Sequence, residues 1–419
     1  VVRSKEWEGG ERGRRRRKRG GRTGVRGFWQ GETVVVGNHS FQRRAKHLRL
    51  GFSVLLAAWS FGIAGSAPGE EPSKSHGPLP RIRPADEKTH FVAEGSPRPF
   101  VAWGFNYDHD DAGRLIEDYW NTEWETVAAD FREMKALGVN VVRVHLQVGR
   151  FLETADRPNE ENLKTLGRLV TLAEETGLYL DVTGLGCYHK QDVPAWYDAL
   201  DEAGRWEVQV RFWKEVAQVC RRSDAIFCYD LMNEPVLTGG ANNTEWLVGP
   251  PLGGKYFVQR ITTDARGRSD KEIAKAWVEK LTAAIRSIDD RHMITVGVIP
   301  WAQVFNGAKP LFYSPEVGAP LDFASIHFYP KKVPIEESLE VLNVYEVGKP
   351  LVIEEIFPLD AGLDETEEFI RRSGTHVDGW VSFYWGKTPE ENEKKGDLPG
   401  TIIAEWLRRF SNLAGAASD

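Results

Sequence analysis

Eight short apolar runs, each followed by an amphipathic stretch, constrain the fold of this chain more than any other feature. The runs are FVAWGFN (100–106), VNVVRVHL (139–146), LYLDVTG (178–184), AIFCYDLM (225–232), HMITVGVI (292–299), LDFASIHF (321–328), PLVIEEIF (350–357) and GWVSFYW (379–385). Such alternation is what parallel strands joined by crossover helices produce. In TEWETVAADFREMKAL the apolar residues Trp124, Ala128, Phe131, Met134 and Leu137 recur every three or four positions, with Asn121 as the expected cap and Gly138 as the expected stop. Similar helical stretches are NEENLKTLGRLVTLAEET, VQVRFWKEVAQVC, DKEIAKAWVEKLTAAIRSI, IEESLEVLNVY, DETEEFIRR and IIAEWLRRFSNL. Eight such units predict an α/β fold, a (β/α)8 TIM barrel at residues 90–412, with a C-terminal tail at 413–419. An open doubly wound sheet is the alternative. The hairpin-like lead-in HFVAEGSPRPF is expected across the bottom of the barrel.

The region before residue 90 reads differently. Residues 1–67 hold 15 Lys+Arg against 4 Asp+Glu, which leaves the remaining 352 residues with 39 against 57 and a net charge of −18. A surface that acidic excludes nucleic acid as a partner, because phosphate binding needs a basic face. Residues 1–42 include ERGRRRRKRGGR and are expected to be solvated, disordered or a non-native start. At 43–67 a basic stretch, RRAKHLR, runs into LGFSVLLAAWSFGIAG, too short for a usual bilayer span and expected to be a signal peptide cut after Ser66. A secreted or periplasmic protein follows, touching membrane only through that segment. The alternative is an uncleaved anchor. Pro-rich residues 68–89 read as a linker. Cys187, Cys220 and Cys228 permit at most one disulfide and have no metal-type spacing.

In a barrel of this kind the chemistry sits at the C-terminal ends of the strands. The ends carry Arg143 and His145 on the second strand, Asn233 and Glu234 on the fourth, His327 and Tyr329 on the sixth, Glu354 and Glu355 on the seventh, and Trp385 on the eighth. Two carboxyls with a cation, an amide and aromatics suit glycosidic cleavage, in which one carboxyl protonates the leaving oxygen and the other meets the anomeric carbon. Arg143 is expected to hold the second carboxyl ionised and to lower its pKa. Alternation lets only one of Glu354 and Glu355 face the barrel axis.

Across residues 90–412 these motifs, in order, resemble glycoside hydrolase family 5 or a close relative among the retaining barrel enzymes, of cellulase and mannanase type. The lead-in reaches Gly104 and Asn106; VNVVRVHL carries Arg143; CYDLMNEP carries Asn233, Glu234 and Pro235; HFYP carries His327 and Tyr329; PLVIEEIF carries Glu355; Trp385 closes the set. The resemblance implies that Glu234 is the acid/base and Glu355 the nucleophile, and that Asn233 binds the sugar 2-hydroxyl. It further implies that His327 meets the acid/base, that Tyr329 meets the nucleophile, and that Trp385 is a platform under the sugar. The implied partner is a carbohydrate, a β-mannan or β-glucan, cleaved by a secreted monomer through a covalent glycosyl-enzyme, with no cofactor and no metal.

One departure stands out. The family often places a His at the end of the third strand, where this chain has Thr183; either His189 in the following loop substitutes or the subsite differs. Loop aromatics, Trp301 among them, fit stacking on pyranose faces. The segment 236–267 is too long for an ordinary connection and is expected to be functional or mobile. A non-catalytic carbohydrate-binding barrel and a transglycosylase are the rival readings.

Overall fold

A computed structural model describes residues 78–238 and 245–416. The expected signal peptide and the basic stretch before it lie outside the described residues.

Eight parallel barrel strands are present among the described residues: β1 (Ala102–Tyr107), β2 (Val141–Gln147), β3 (Tyr179–Gly186), β4 (Ile226–Asp230), β5 in two pieces (Met293–Thr295 and Gly297–Val298), β6 (Ala324–His327), β7 (Leu351–Ile356) and β8 (Gly379–Ser382). β8 pairs with β1, while the first piece of β5 pairs with β4 and the second with β6. The ring therefore closes through Val296, and the TIM barrel is the observed fold.

The outer layer is α1 (Trp124–Ala136), α2 (Glu160–Thr176), α3 (Glu202–Cys220), α4 (Asp270–Arg286), α5 (Ile335–Leu342), α6 (Leu363–Ser373) and α7 (Leu398–Ala416). After β5 only a single turn, Trp301–Val304, stands in the helix position. Local chemistry sets the helix starts. Asn159 accepts from the Asn162 amide at the head of α2, and Ser269 and Glu272 form a reciprocal capping box on α4. Gly138, at φ +87°, follows α1 as expected. Asn121 does not cap α1, which begins after Glu123; its side chain instead joins Asn162 and Thr165 of α2. No helix among the described residues is long and apolar enough to cross a membrane.

Two expected boundaries move. Within the presumed linker, Ile82–Pro84 forms a strand that pairs antiparallel with Phe91–Ala93, which in turn pairs with Pro99–Phe100. Proline composition suggested a linker, but Ile82 is buried and the strand completes a sheet. At the other end α7 runs through residues assigned to the tail, and Leu413 is buried.

This small sheet closes the bottom of the barrel, where the lead-in was expected. Phe91 meets Phe227 and Phe323 edge-on at 5.3 and 5.2 Å. Burial of a Phe of this kind contributes about 2–3 kcal/mol. Above that apolar floor the barrel interior turns polar: Arg143, Asp181, Thr183, Asp230, Ser325 and Glu354 are all buried. That layer carries the site.

Candidate active site

The C-terminal rim brings Glu234, from the end of β4, to Glu355 of β7. Oxygens of these two carboxyls and a ring nitrogen of His327 all lie within 4.8 Å of one another. Glu234 is held in the left-handed region at φ +47°, with its N–H donating to the Gly297 carbonyl at 2.9 Å. A non-glycine residue with such a φ costs energy that the surrounding structure must offset, a condition typical of functional positions.

Glu355 is fixed from two sides. Arg143 Nη1 donates to its Oε1 at 2.8 Å and the Tyr329 hydroxyl to its Oε2 at 2.6 Å. The expected lowering of its pKa is not found. Burial, with Glu234 adding to it, pushes the Glu355 carboxyl above its ordinary value against the pull of His327 and Arg143. With a donor on each oxygen, the carboxylate is nonetheless oriented for attack.

His327 Nδ1 lies 3.0 Å from Glu234 Oε1 and 3.4 Å from Glu355 Oε1. Burial disfavours the imidazolium, but Glu355, Glu234 and Glu354 outweigh it and raise His327 to about 10. Burial also keeps the Tyr329 phenol neutral, its pKa well above the usual value.

Arg143 and Asn106, expected among the substrate-binding residues, brace the site from below. Arg143 is fully buried, with Nη1 on Asn106 and Glu355 and Nη2 on Asp230 and Asn233. The Asn106 amide donates to the Glu354 and Ser382 carbonyls, and its oxygen accepts from Arg143 and from His145 Nε2. An asparagine has four such positions, so none is left for a sugar. His145 is neutral, held well below its ordinary pKa by burial and by Arg143. Its Nε2–H therefore donates to Asn106 and its Nδ1 accepts from the Tyr188 hydroxyl. Asn233 accepts from Arg143 and donates to the Phe257 carbonyl, keeping one amide hydrogen for a ligand.

Two expectations fail on position. Trp385 is fully buried against Phe105 with its rings 5.7 Å apart, so no face is open to a sugar. Phe257 and Phe383 are half-buried and meet edge-on at 6.2 Å, and Tyr384 stacks on His109 at 4.0 Å. His189 does not replace the missing third-strand histidine: its Nδ1 is 3.5 Å from Asp192, while Thr183 donates to Asp230. Trp301, just past β5, is exposed and stacks on Phe305 with ring centroids 5.8 Å apart.

The expectation that only one of Glu354 and Glu355 faces inward is also overturned. Ile326 pairs with Ile353 but His327 pairs with Glu355, so Glu354 is an extra residue in a β-bulge. Both side chains enter the barrel at different depths. Glu354 is the deeper, with Oε2 3.8 Å from Arg143 Nε and 3.7 Å from His327 Nε2. Sequence reasoning missed Asp181 and Asp230 in the same layer. Both stand in apolar strand runs, and that incongruity was the available signal.

A model of the cellulase family, glycosyl hydrolase family 5, matches residues 104–353. The chain belongs to glycosyl hydrolase family 5. The family match stops just short of Glu354 and Glu355, so their placement rests on geometry. A mannan endo-1,4-β-mannosidase A from Aspergillus aculeatus is 20% identical over 384 residues, which is 81% of this chain and 92% of that protein. A mannan endo-1,4-β-mannosidase 5 from Arabidopsis thaliana is 29% identical over 124 residues, 26% of this chain and only 22% of the relative. Among solved structures, an exo-β-1,4-mannosidase from Opitutaceae bacterium strain TAV5 superposes with a TM-score of 0.58 at 15% identity, over 79% of this chain and 62% of that one. An endo-1,4-β-mannanase from Rhizomucor miehei gives 0.55 at 14% identity, over 80% and 99%. Likeness at such identities shows the barrel.

Proposed function

We propose that this family 5 glycosidase is a retaining β-mannan hydrolase, with Glu355 as nucleophile and Glu234 as acid/base. The observation that carries the reading is that an oxygen of each carboxyl lies within 4.8 Å of the other, near the roughly 5–5.5 Å separation of retaining enzymes and short of the roughly 6.5–9.5 Å that admits a water for direct inversion.

In the first step Glu355 attacks the anomeric carbon while Glu234 gives its proton to the departing glycosidic oxygen. A covalent glycosyl-enzyme forms. In the second step Glu234 takes a proton from water, which attacks the same carbon and frees Glu355. Arg143 and Tyr329 hold the nucleophile before attack, and His327 sits between the two carboxyls, so little reorganisation accompanies the reaction. The free Asn233 amide hydrogen is available to the sugar 2-hydroxyl. Mannan as substrate is supported by the names of both curated relatives and of the mannosidase and mannanase structures. Export is supported by the basic-then-apolar pattern at 43–67.

The test is a panel of β-1,4-mannan, galactomannan and β-1,4-glucan assayed for reducing ends with wild type and E355Q. Mannan cleavage by wild type and none by E355Q is expected. Cleavage of glucan alone would replace the substrate, and no cleavage of any member would favour a binding barrel.

A further inference from the structure

Beneath the catalytic pair the barrel interior holds more carboxyls than cations. Asp230 has a donor on each oxygen: Gly297 N at 2.8 Å, Arg143 Nη2 at 2.7 Å and Thr183 Oγ1 at 3.0 Å. Asp181 and Glu354 differ. Both are buried, and none of their four oxygens accepts a hydrogen bond of good geometry among the described residues, although Ser325 and His327 stand close to Glu354 and Cys228 stands close to Asp181. Oxygens of the two carboxyls lie within 4.8 Å of each other and of Cys228 Sγ.

Two adjacent buried carboxylates are costly when both are ionised, whereas a carboxylic acid donating to a carboxylate relieves the repulsion. A bound cation would serve the same end, but Arg143 already lies 3.8 Å from Glu354 and brings the positive charge. We propose that Asp181 and Glu354 share one proton, and that Glu354, the anionic member, is a positioning residue that holds His327 between Glu234 and Glu355. Its bearing on turnover rests on the glycosidase reading above; the shared proton does not.

The electrostatic directions agree. Burial and Glu354 raise Asp181 well above the carboxylate range, while Arg143 and His327, overcoming burial, bring Glu354 below its ordinary value. The groups facing Glu354 are Arg143 from β2, Asp181 from β3, Cys228 and Asp230 from β4, His327 from β6 and Glu355 beside it on β7, with Tyr313 from the connection after β5. Cys228 and Tyr313 remain neutral, both raised chiefly by burial. Facing His327 are Glu234, Glu355, Glu354 and Arg143, with neutral His145 beyond. Removing the Glu354 charge deletes one of the groups that keep His327 cationic, beside Glu355 and the hydrogen bond with Glu234.

The experiment has two arms on the intact chain. In the first, kcat/KM is followed against pH for wild type, E354Q, D181L and D181N, with folding checked by circular dichroism. In E354Q the alkaline limb is expected to move to lower pH by about one unit, with roughly a tenfold loss at the optimum. D181L is expected to lose a similar factor and D181N, which restores a donor, to regain most of it. An unmoved limb in folded E354Q, or equal loss in D181N and D181L, overturns the positioning role. The second arm is the infrared spectrum at neutral pH, where wild type should show a protonated carboxylic acid band that D181N lacks. Identical bands in both overturn the shared proton, whether or not a substrate has been found. Should wild type hydrolyse no glycoside, the proposed function fails while the infrared arm still decides the proton.

Discussion

Arg143 Nη1 and Glu355 Oε1 lie 2.8 Å apart and join β2 to β7 across the barrel, although 212 positions separate them in the chain. The same guanidinium holds Asp230 and Asn233 through Nη2, so a single planar group sets Glu355 and the residue next to Glu234 together. Lysine keeps the charge but not the fork. R143K is expected to lower kcat/KM by roughly a hundredfold through misplacement of Glu355. Near-normal turnover would mean that the charge alone suffices.

Tyr329 donates to the other oxygen of Glu355. The Y329F variant keeps the ring and removes that donor, leaving a buried oxygen short of a partner. Loss of such a hydrogen bond to a charged group costs about 1.5–3 kcal/mol. A fall of roughly ten- to a hundredfold in kcat with KM little changed is expected from steady-state kinetics.

A side chain at Gly297 on β5 would crowd the polar layer. A Cβ there would stand 2.5 Å from Glu354 Oε2 and 2.6 Å from His327 Nε2, and 3.1 Å from Arg143 Nη2. G297A should destabilise the fold by about 1–3 kcal/mol, as overpacking does, and should displace His327. A lowered Tm with lost activity is the expected pair. Full activity would show that the polar layer has slack.

Glu117 allows a test of stability against pH. It is buried, accepts from the Gln147 N–H at 2.7 Å, and burial raises its carboxyl to about 8. Below the unfolded value of about 4.3 both states carry the proton and there is no effect. As pH rises from there towards 8, the unfolded chain loses its proton while the folded one keeps it, so stability falls over that window and levels off above it. E117Q retains the acceptor without the titration. Relative to wild type, its Tm should rise between pH 5 and pH 8, and a constant difference across that range would contradict the assignment.

The repeating frame of the fold was legible because strands and helices advertise themselves by period, and each of the eight apolar runs overlaps a barrel strand. Motifs at strand ends located Glu234, Glu355, His327 and Tyr329 for the same reason: position along the chain dictates height in the barrel. What lay hidden depended on side-chain direction. The bulge that turns both Glu354 and Glu355 inward leaves no mark in LVIEEI, since period-2 alternation presumes a regular ladder. Trp385 was placed at the right strand end, but its burial against Phe105 depends on the chain path after β8. Residues 82–84 read as linker because their pairing with residues 91–93 is a tertiary event that Pro-rich composition masks.

The central claim is that Glu355 forms a bond to the sugar and water then displaces it from the same carbon's opposite side, so configuration is restored. Proton NMR of the first-formed reducing sugar, recorded before mutarotation, tests this most directly. The β-anomer appearing first is the result expected of two carboxyls this close, and the α-anomer appearing first would contradict the assigned roles of Glu234 and Glu355.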